Sequence, residues 1–402
     1  MKNTLLTTAA ALFFIACSSS KTTTPQPGTP VETKMANSPQ YKPAFEGQTR
    51  IAGMVTSTAY TTKKITEALV KPWSMVALPD GRFLVSQKEG MFRIVSTNGT
   101  VSNDIKGAPT VDPAGQGGLL GVTIDPDFAT NRMIYFVFSE PVAGGNHAAV
   151  AKARLKDDET AIENVSVIYR VSPTHDGDKH NGGKLLFTKE GNLFVTSGER
   201  SDMATRPLAQ NNTSSLGKIL LITKTGQAVT DPVMLPLPNS RPEIFSSGHR
   251  NPLGIAFHPV TGELWESEMG PRGGDEINII KRGINYGWPI ITYGIEYSGK
   301  TIGEGITQKA GYEQPVYYWD PVISPGGITF YNSGNIPEWK NNLFVASLSG
   351  KHIIRLQVTG NKITGEERLL TSEGQRFRDV AMGKDGNLYA ITDEGRMYCL
   401  SK

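Results

Sequence analysis

The stretch Gly248-His-Arg-Asn-Pro-Leu-Gly-Ile-Ala-Phe257, followed shortly by Glu268-Met-Gly-Pro-Arg-Gly-Gly-Asp-Glu-Ile-Asn278, sets chemistry-bearing residues between apolar runs. An Arg-Asn pair, a Gly-Pro turn and two adjacent carboxylates share one short region. Turn chemistry this dense is where a rigid scaffold places ligand-binding groups. Arg250 carries a planar fork that can donate two parallel hydrogen bonds to a carboxylate. Gly270 and Pro271 form a turn whose free carbonyls offer the hard oxygen donors that Ca²⁺ takes. His180 is an imidazole, the side chain whose pKa lies nearest neutrality and the usual general base. Gln116 stands ahead of Gly117-Gly-Leu-Leu-Gly121, and Arg376 and Arg378 bracket Phe377. Ser349, Lys351 and His352 follow the apolar run Leu343–Ala346. One imidazole among several guanidinium groups suits an anionic ligand beside a proton-removing base.

Taken singly, each of these residues also has a plain structural explanation. A histidine in a β-protein is more often a strand-end or buried hydrogen-bonding residue than a catalyst. Arg376 and Arg378 alternate along a strand and fit a solvated or salt-bridged role. Arg250-Asn251 fit a turn, and Gly270-Pro271 a corner. Asp275-Glu276 open the run Ile277-Asn-Ile-Ile280 and can cap local amides. Their shared position raises them above this, because most stand beside an apolar run that recurs through the chain.

That refrain is an apolar strand, a turn with Asp, Gly or Asn, and a second strand. Pro72–Ser86 is the clearest copy, and Gly118–Phe128, running on to Met133–Phe138, is the next. Gly183–Thr196, Leu253–Trp265, Gly327–Tyr331 with Asn342–Ala346, and Arg378–Ile391 complete six. Each reads as a hairpin whose turn residues tolerate positive φ. A lone hairpin is barely stable, so the copies need neighbours. Recurrence at roughly 45–75 residues predicts radial blades. The expected fold is therefore all-β: a six-bladed β-propeller of four-stranded antiparallel sheets, rather than a two-sheet sandwich. The last copy, ending Arg396-Met-Tyr-Cys-Leu400, supplies three strands, and a segment near residues 51–62 is expected to close the ring. A propeller brings loops from every blade to one end of a central channel, where the candidate residues would converge.

The bulk numbers bound the partners. Among 402 residues, 41 basic and 38 acidic side chains nearly cancel. A nucleic-acid partner would want a concentrated basic face, so none is expected. The 43 glycines and 25 prolines lie between short apolar runs, as a many-stranded fold requires. Residues 1–17 read as a signal peptide: Lys2 precedes the apolar run Leu5–Ala16, which is too short to span a bilayer comfortably. Phe14-Ile15-Ala16-Cys17 resembles a bacterial lipobox, so the chain is expected to be exported to the cell envelope and to touch a membrane only through a lipid on Cys17. An ordinary cleaved secretory peptide is the alternative. Residues 18–46, rich in Ser, Thr and Pro, read as a flexible tether. Residues 47–402 are left as one propeller domain. Only Cys399 remains after Cys17, so no disulfide is expected within that domain.

Over roughly residues 65–400 the chain resembles the soluble aldose sugar dehydrogenases that use pyrroloquinoline quinone (PQQ), the glucose/sorbosone dehydrogenase-like family. The matching pieces are Gln116–Gly121, His180 in Lys-His-Asn-Gly-Gly-Lys, Gly248–Gly254, Met269–Asn278, Asn285-Tyr-Gly-Trp-Pro289 and Arg376-Phe-Arg-Asp379. The resemblance implies a six-bladed propeller that oxidises aldoses at the anomeric carbon to lactones, passing electrons through PQQ to an unidentified acceptor. It implies that Arg250, Asn251, Arg376 and Arg378 hold PQQ, with Gln116 lining the same pocket. The carbonyls of Gly270 and Pro271 would ligate the Ca²⁺ that binds the quinone, and His180 would be the general base. Three departures stand out. Lys179 replaces an Asp before the base, Met269 replaces a polar residue before the metal turn, and Ser349 replaces a lysine that contacts PQQ. Lys351, two residues on, is the expected substitute. The rival readings are a calcium-dependent lactonase or other hydrolase on a similar propeller, and a binding propeller without catalysis.

Overall fold

Each copy of the refrain folds as a hairpin because its turn can reverse sharply. Gly81 and Gly386, at the first and last of these turns, adopt φ of +88° and +76°, which a side chain would resist. The computed structural model describes residues 28–229 and 239–402. The expected signal peptide, Cys17 and the first part of the tether lie outside the described residues.

Six antiparallel sheets form, one per copy. The first blade holds Pro72–Ala77, Phe83–Gln87 and Met91–Val95, with bridges from Val101 and Ile105 in the fourth place. The second holds Leu119–Ile124, Met133–Val142, Gly145–Leu155 and Ile162–Arg170; the third Leu185–Phe187, Leu193–Ser197, Lys218–Ile222 and Ile244–Ser247. The fourth holds Pro252–Phe257, Leu264–Glu268, Asp275–Ile280 and Tyr317–Trp319; the fifth Pro325–Phe330, Leu343–Ser347, His352–Thr359 and Lys362–Leu369. The sixth consists of Phe377–Met382, Leu388–Thr392 and Met397–Ser401, completed by Thr61–Thr66 from the other end of the chain. The innermost strands touch in sequence from the first blade to the sixth and back to the first, so the ring is closed. The expected six-bladed propeller is the observed fold.

Period-two alternation fills the gaps between blades. Leu343 and Val345 pack toward the fourth blade, whereas Phe344 and Ala346 pack toward the sixth. Leu193 and Val195 face the second blade, and Phe194 faces the fourth. Both faces of these strands are buried, which is why they read as continuous apolar runs. At the centre the backbones come too close for side chains. A Cβ on Gly121 would lie 2.1 Å from the carbonyl oxygen of Gly183 in the next blade.

Two expectations are corrected. The closing strand is Thr61–Thr66, not residues 51–62. Its lysines suit an exposed outer edge, whereas Ile51 packs into the core between the fourth and fifth blades and Gly53 bridges to Glu366. Within the expected tether, residues 28–46 lie against the propeller instead of leaving it. The buried carboxylate of Asp320 accepts the backbone N–H groups of Asn37 and Ser38 at 2.7 and 2.8 Å, and Glu32 pairs with Arg368 at 3.0 Å. Composition alone does not reveal such backbone contacts.

One ion pair crosses the channel. Lys184, just before the inner strand of the third blade, places Nζ 2.5 Å from Oδ2 of Asp379, on the inner strand of the sixth. The same carboxylate oxygen accepts from Ser74 Oγ at 3.0 Å and Met75 N at 2.9 Å in the first blade. Removing one partner of a buried pair strands the other charge, at a cost of about 3–5 kcal/mol. Asp379→Ala should therefore lose stability of that order in urea unfolding. A loss below about 1 kcal/mol would show that the pair is not a strut.

Candidate active site

The second strand of each blade climbs to the end of the ring where the inner strands begin. Loops from several blades there enclose a cavity of about 510 Å³. Gln116, His180, Arg250, Asn251, Gly270, Pro271, Arg376 and Arg378 all line it. Residues up to 262 positions apart in sequence thus meet at one place, as the repeat positions predict. Lys351 does not: it is exposed on a turn with φ +58°, and His352 is buried at the start of the next strand, its Nδ1 on Gly350 O at 2.6 Å. The lining residue at that point is Ser349, whose hydroxyl donates to Ser324 Oγ at 2.8 Å.

His180 is buried and held in a left-handed backbone conformation, φ +47°, a strain of the kind that gathers at functional sites. Its amide N–H donates to Gln116 Oε1 at 2.9 Å. Its Nδ1 lies 2.6 Å from Glu199 Oε1, while Nε2 has no partner among the described residues. Burial first, then the positive charges of Arg250, Arg200 and Lys179, push its pKa well below the ordinary imidazole value, so the ring is neutral. Burial raises Glu199 to about 7 against the pull of Arg250 and the Ser201 N–H. With Glu199 ionised, Nδ1–H donates to it and Nε2 keeps a lone pair. With Glu199 protonated, its O–H donates to Nδ1 and the proton moves to Nε2, removing that lone pair. Glu199 therefore fills the orienting role left open by Lys179.

The Arg wall is organised by one carboxylate. Asp393 accepts Nε of Arg376 at 2.9 Å and Nε of Arg378 at 2.8 Å. Burial works to raise Asp393, but Arg378 and Arg376 outweigh it and hold it ionised. Both arginines are thus salt-bridged and still line the cavity. Lys71 and Lys88 stand on the same wall.

Opposite, Arg250 lies over the Trp288 ring at 5.2 Å and donates through Nη1 to Met269 O at 2.9 Å and Gly270 O at 2.5 Å. Asn251 Oδ1 accepts Gly182 N at 3.1 Å, tying the arginine loop to the histidine loop. Asp275, fully buried, accepts the N–H groups of Gly270, Ile323 and Ser324 at 2.7–2.8 Å. It caps amides, as its position predicts, and so fixes the turn that presents the Gly270 and Pro271 carbonyls. Behind this turn His249, Glu266 and Glu268 bring ligand-type atoms within 4.8 Å of one another, all buried, a second place able to hold a cation.

Sequence reasoning missed Lys71, Lys88, Glu199, Tyr297 and Asp393. Three of them share a signal: Lys88, Glu199 and Asp393 stand one or two residues after the second strand of their blade, the place also held by Ser349 and Met269.

Comparison with known proteins places the chain in a family. The sequence pattern of the Glucose / Sorbosone dehydrogenase family matches residues 69–399. The aldose sugar dehydrogenase YliI of Escherichia coli (strain K12) is 41% identical over 331 residues, 82% of this chain and 88% of its own. The solved apo-form of the soluble aldose sugar dehydrogenase from Escherichia coli superposes with a TM-score of 0.80 at 39% identity, over 85% of this chain and 99% of its own. The PQQ-bound aldose sugar dehydrogenase from Streptomyces coelicolor superposes with a TM-score of 0.70 at 28% identity, over 86% of this chain and 99% of its own. Matched over nearly all of its propeller, the chain belongs to the glucose/sorbosone dehydrogenase family.

Proposed function

We propose that the protein oxidises aldose sugars at the anomeric carbon to lactones, using PQQ held with Ca²⁺. The observation that carries this reading is the convergence on one cavity of a neutral imidazole, with Nε2 unpartnered, and a guanidinium-rich wall. The residues fit a tricarboxylate quinone. Lys71, Lys88, Arg250, Arg376 and Arg378 face the cavity, while Asp393 is shared by two arginines and Asp275 is spent on backbone amides. Buried Asn181 Nδ2 and Arg250 Nε also lack partners, as donors awaiting a ligand would. The Gly270 and Pro271 carbonyls give the hard oxygen donors Ca²⁺ takes. Arg250 now occupies Gly270 O, so metal loading would displace that hydrogen bond.

Oxidation of a cyclic aldose to its lactone removes a proton from the anomeric hydroxyl and a hydride from the same carbon. When bound, PQQ supplies the hydride acceptor and Ca²⁺ a Lewis acid beside it. The chain's own part is the proton. His180 Nε2 accepts it, Glu199 stabilises the imidazolium through Nδ1–H, and Gln116 fixes the backbone that aims the ring. Arg376, Arg378, Arg250 and Asn251 bind and orient the quinone. A hydrolase built on a side-chain metal cage is disfavoured, because the two lining aspartates are already committed to arginines and amides. The N-terminal residues support export and a lipid anchor on Cys17. Among the described residues no helix is long and apolar enough to cross a membrane.

Apoprotein reconstituted with PQQ and Ca²⁺ should reduce a dye with aldoses, and a folded protein inactive with every sugar would favour the binding-propeller reading. His180→Ala should lower turnover by ~10²–10⁴-fold, and survival within tenfold would remove the histidine from the base role. The pH–rate profile should fall on the acid side as pH drops through about 7, where Glu199 takes up a proton and withdraws the Nε2 lone pair. In Glu199→Gln this limb should vanish; its persistence unchanged would assign it to another group.

A further inference from the structure

Of the cations facing the cavity, Lys88 has the least to neutralise it. Lys71 pairs with Glu89 at 2.7 Å, and Arg376 and Arg378 share Asp393. Arg250 donates Nη1 to two carbonyls and lies over an indole face, with Nε left unpartnered. The Lys88 ammonium has no carboxylate within ion-pair distance among the described residues. Its one hydrogen bond runs from Nζ to Gly115 O at 2.6 Å, next to Gln116. Its backbone is pinned as well, with N–H donating to Lys71 O at 3.0 Å and C=O accepting from Leu119 N at 2.9 Å. Burial, and then repulsion from Lys71 and Arg378, disfavour its charge, with Glu89 and Asp393 only partly offsetting them. A half-buried ammonium set among like charges, on a wall that opens into a cavity, is poised for an anion brought from outside.

We propose that Lys88 is a cofactor-anchoring residue of this chain, donating from Nζ to a carboxylate of the bound quinone on the first-blade side of the cavity. This rests on the PQQ reading above. It moves the lysine anchor away from the fifth blade, where the lining residue is the hydroxyl of Ser349 and Lys351 faces solvent. Lys88 occupies the equivalent place in its own blade, just past the second strand Phe83–Gln87, so the ring geometry delivers it to the same cavity.

The test is a binding titration that needs no sugar. PQQ is added to Ca²⁺-loaded wild type, Lys88→Met, Lys88→Arg and Lys351→Met, and uptake is read from protein fluorescence quenching and quinone absorbance. Unfolding midpoints without PQQ confirm that each variant is folded. Lys88→Met should weaken PQQ about tenfold or more, the loss of one charge-assisted contact. Lys88→Arg should retain most of the affinity, and Lys351→Met should stay within twofold of wild type. Wild type that binds while folded Lys88→Met binds equally well would overturn the assignment of Lys88 and leave the PQQ reading standing. A wild type that takes up no PQQ would overturn both. A tenfold loss in Lys351→Met with none in Lys88→Met would return the anchor to the fifth blade.

Discussion

Five side-chain cations, Lys71, Lys88, Arg250, Arg376 and Arg378, face a single cavity. Gathering them is opposed by Coulomb repulsion that strengthens as water is excluded. This is the constraint to which the rest of the structure answers. Nothing local in sequence holds the set together, since Lys71 and Arg378 lie at opposite ends of the chain. The ring must hold them, and it does so through apolar packing between successive blades. Each of the six interfaces has its own cluster of buried side chains. Hydrophobic burial is indifferent to the sign of charges at the mouth, so it can supply the stability that a cationic site removes.

Carboxylates then fix several of the groups around the cavity. Asp393 holds Arg376 and Arg378 in one orientation, and Asp379 ties Lys184 across the channel beneath them. Glu199 orients His180, and Asp275 holds the Gly270 turn by its amide groups. None of the four is a free anion in the cavity. Each is consumed by a partner, so the space that remains is left electropositive. A polar group buried without such a partner would cost far more than it returned, which explains why these acids lie where strand ends offer N–H donors or arginine forks.

The fold was legible because its signal is repeated. Six hairpins with turn residues at similar offsets predict blades more firmly than any one hairpin predicts a strand. The candidate site was legible where a family motif coincided with the start of an inner strand: Gln116, His180, Arg250, Asn251, Arg376 and Arg378 all line the cavity. Lys351 failed because two residues of displacement on a tight turn reverse a side chain's direction; a left-handed φ carries it out to solvent. Lys88, Glu199 and Asp393 follow second strands and belong to none of the motifs that carry the resemblance, so the sequence does not mark them out. The ends of second strands reach the same mouth, since adjacent antiparallel strands exchange their ends. That rule applies to every blade and needs no resemblance. The packing of residues 28–46 was illegible for a different reason: Asp320 holds it by backbone N–H groups, which are the same in every sequence, and Glu32 by an arginine 336 residues away.

The surroundings of His180 show what orients an imidazole in such a site. An imidazole base needs a carboxylate on Nδ1, and whether that carboxylate precedes it in the chain does not matter. In this chain it comes from Glu199, across the hairpin on the next strand end, at 2.6 Å. Lys179 adds a positive charge near the ring, which opposes protonation and favours the neutral base. The orienting acid need not be adjacent in the chain, provided it sits on a rigid strand terminus. Glu199 meets that condition: it follows a buried strand, and its backbone N–H donates to Arg250 O at 2.9 Å. Glu199 thereby links the His180 ring, through its carboxylate, to the Arg250 backbone, through its N–H, and the Asn251–Gly182 bond ties the same two loops a second time.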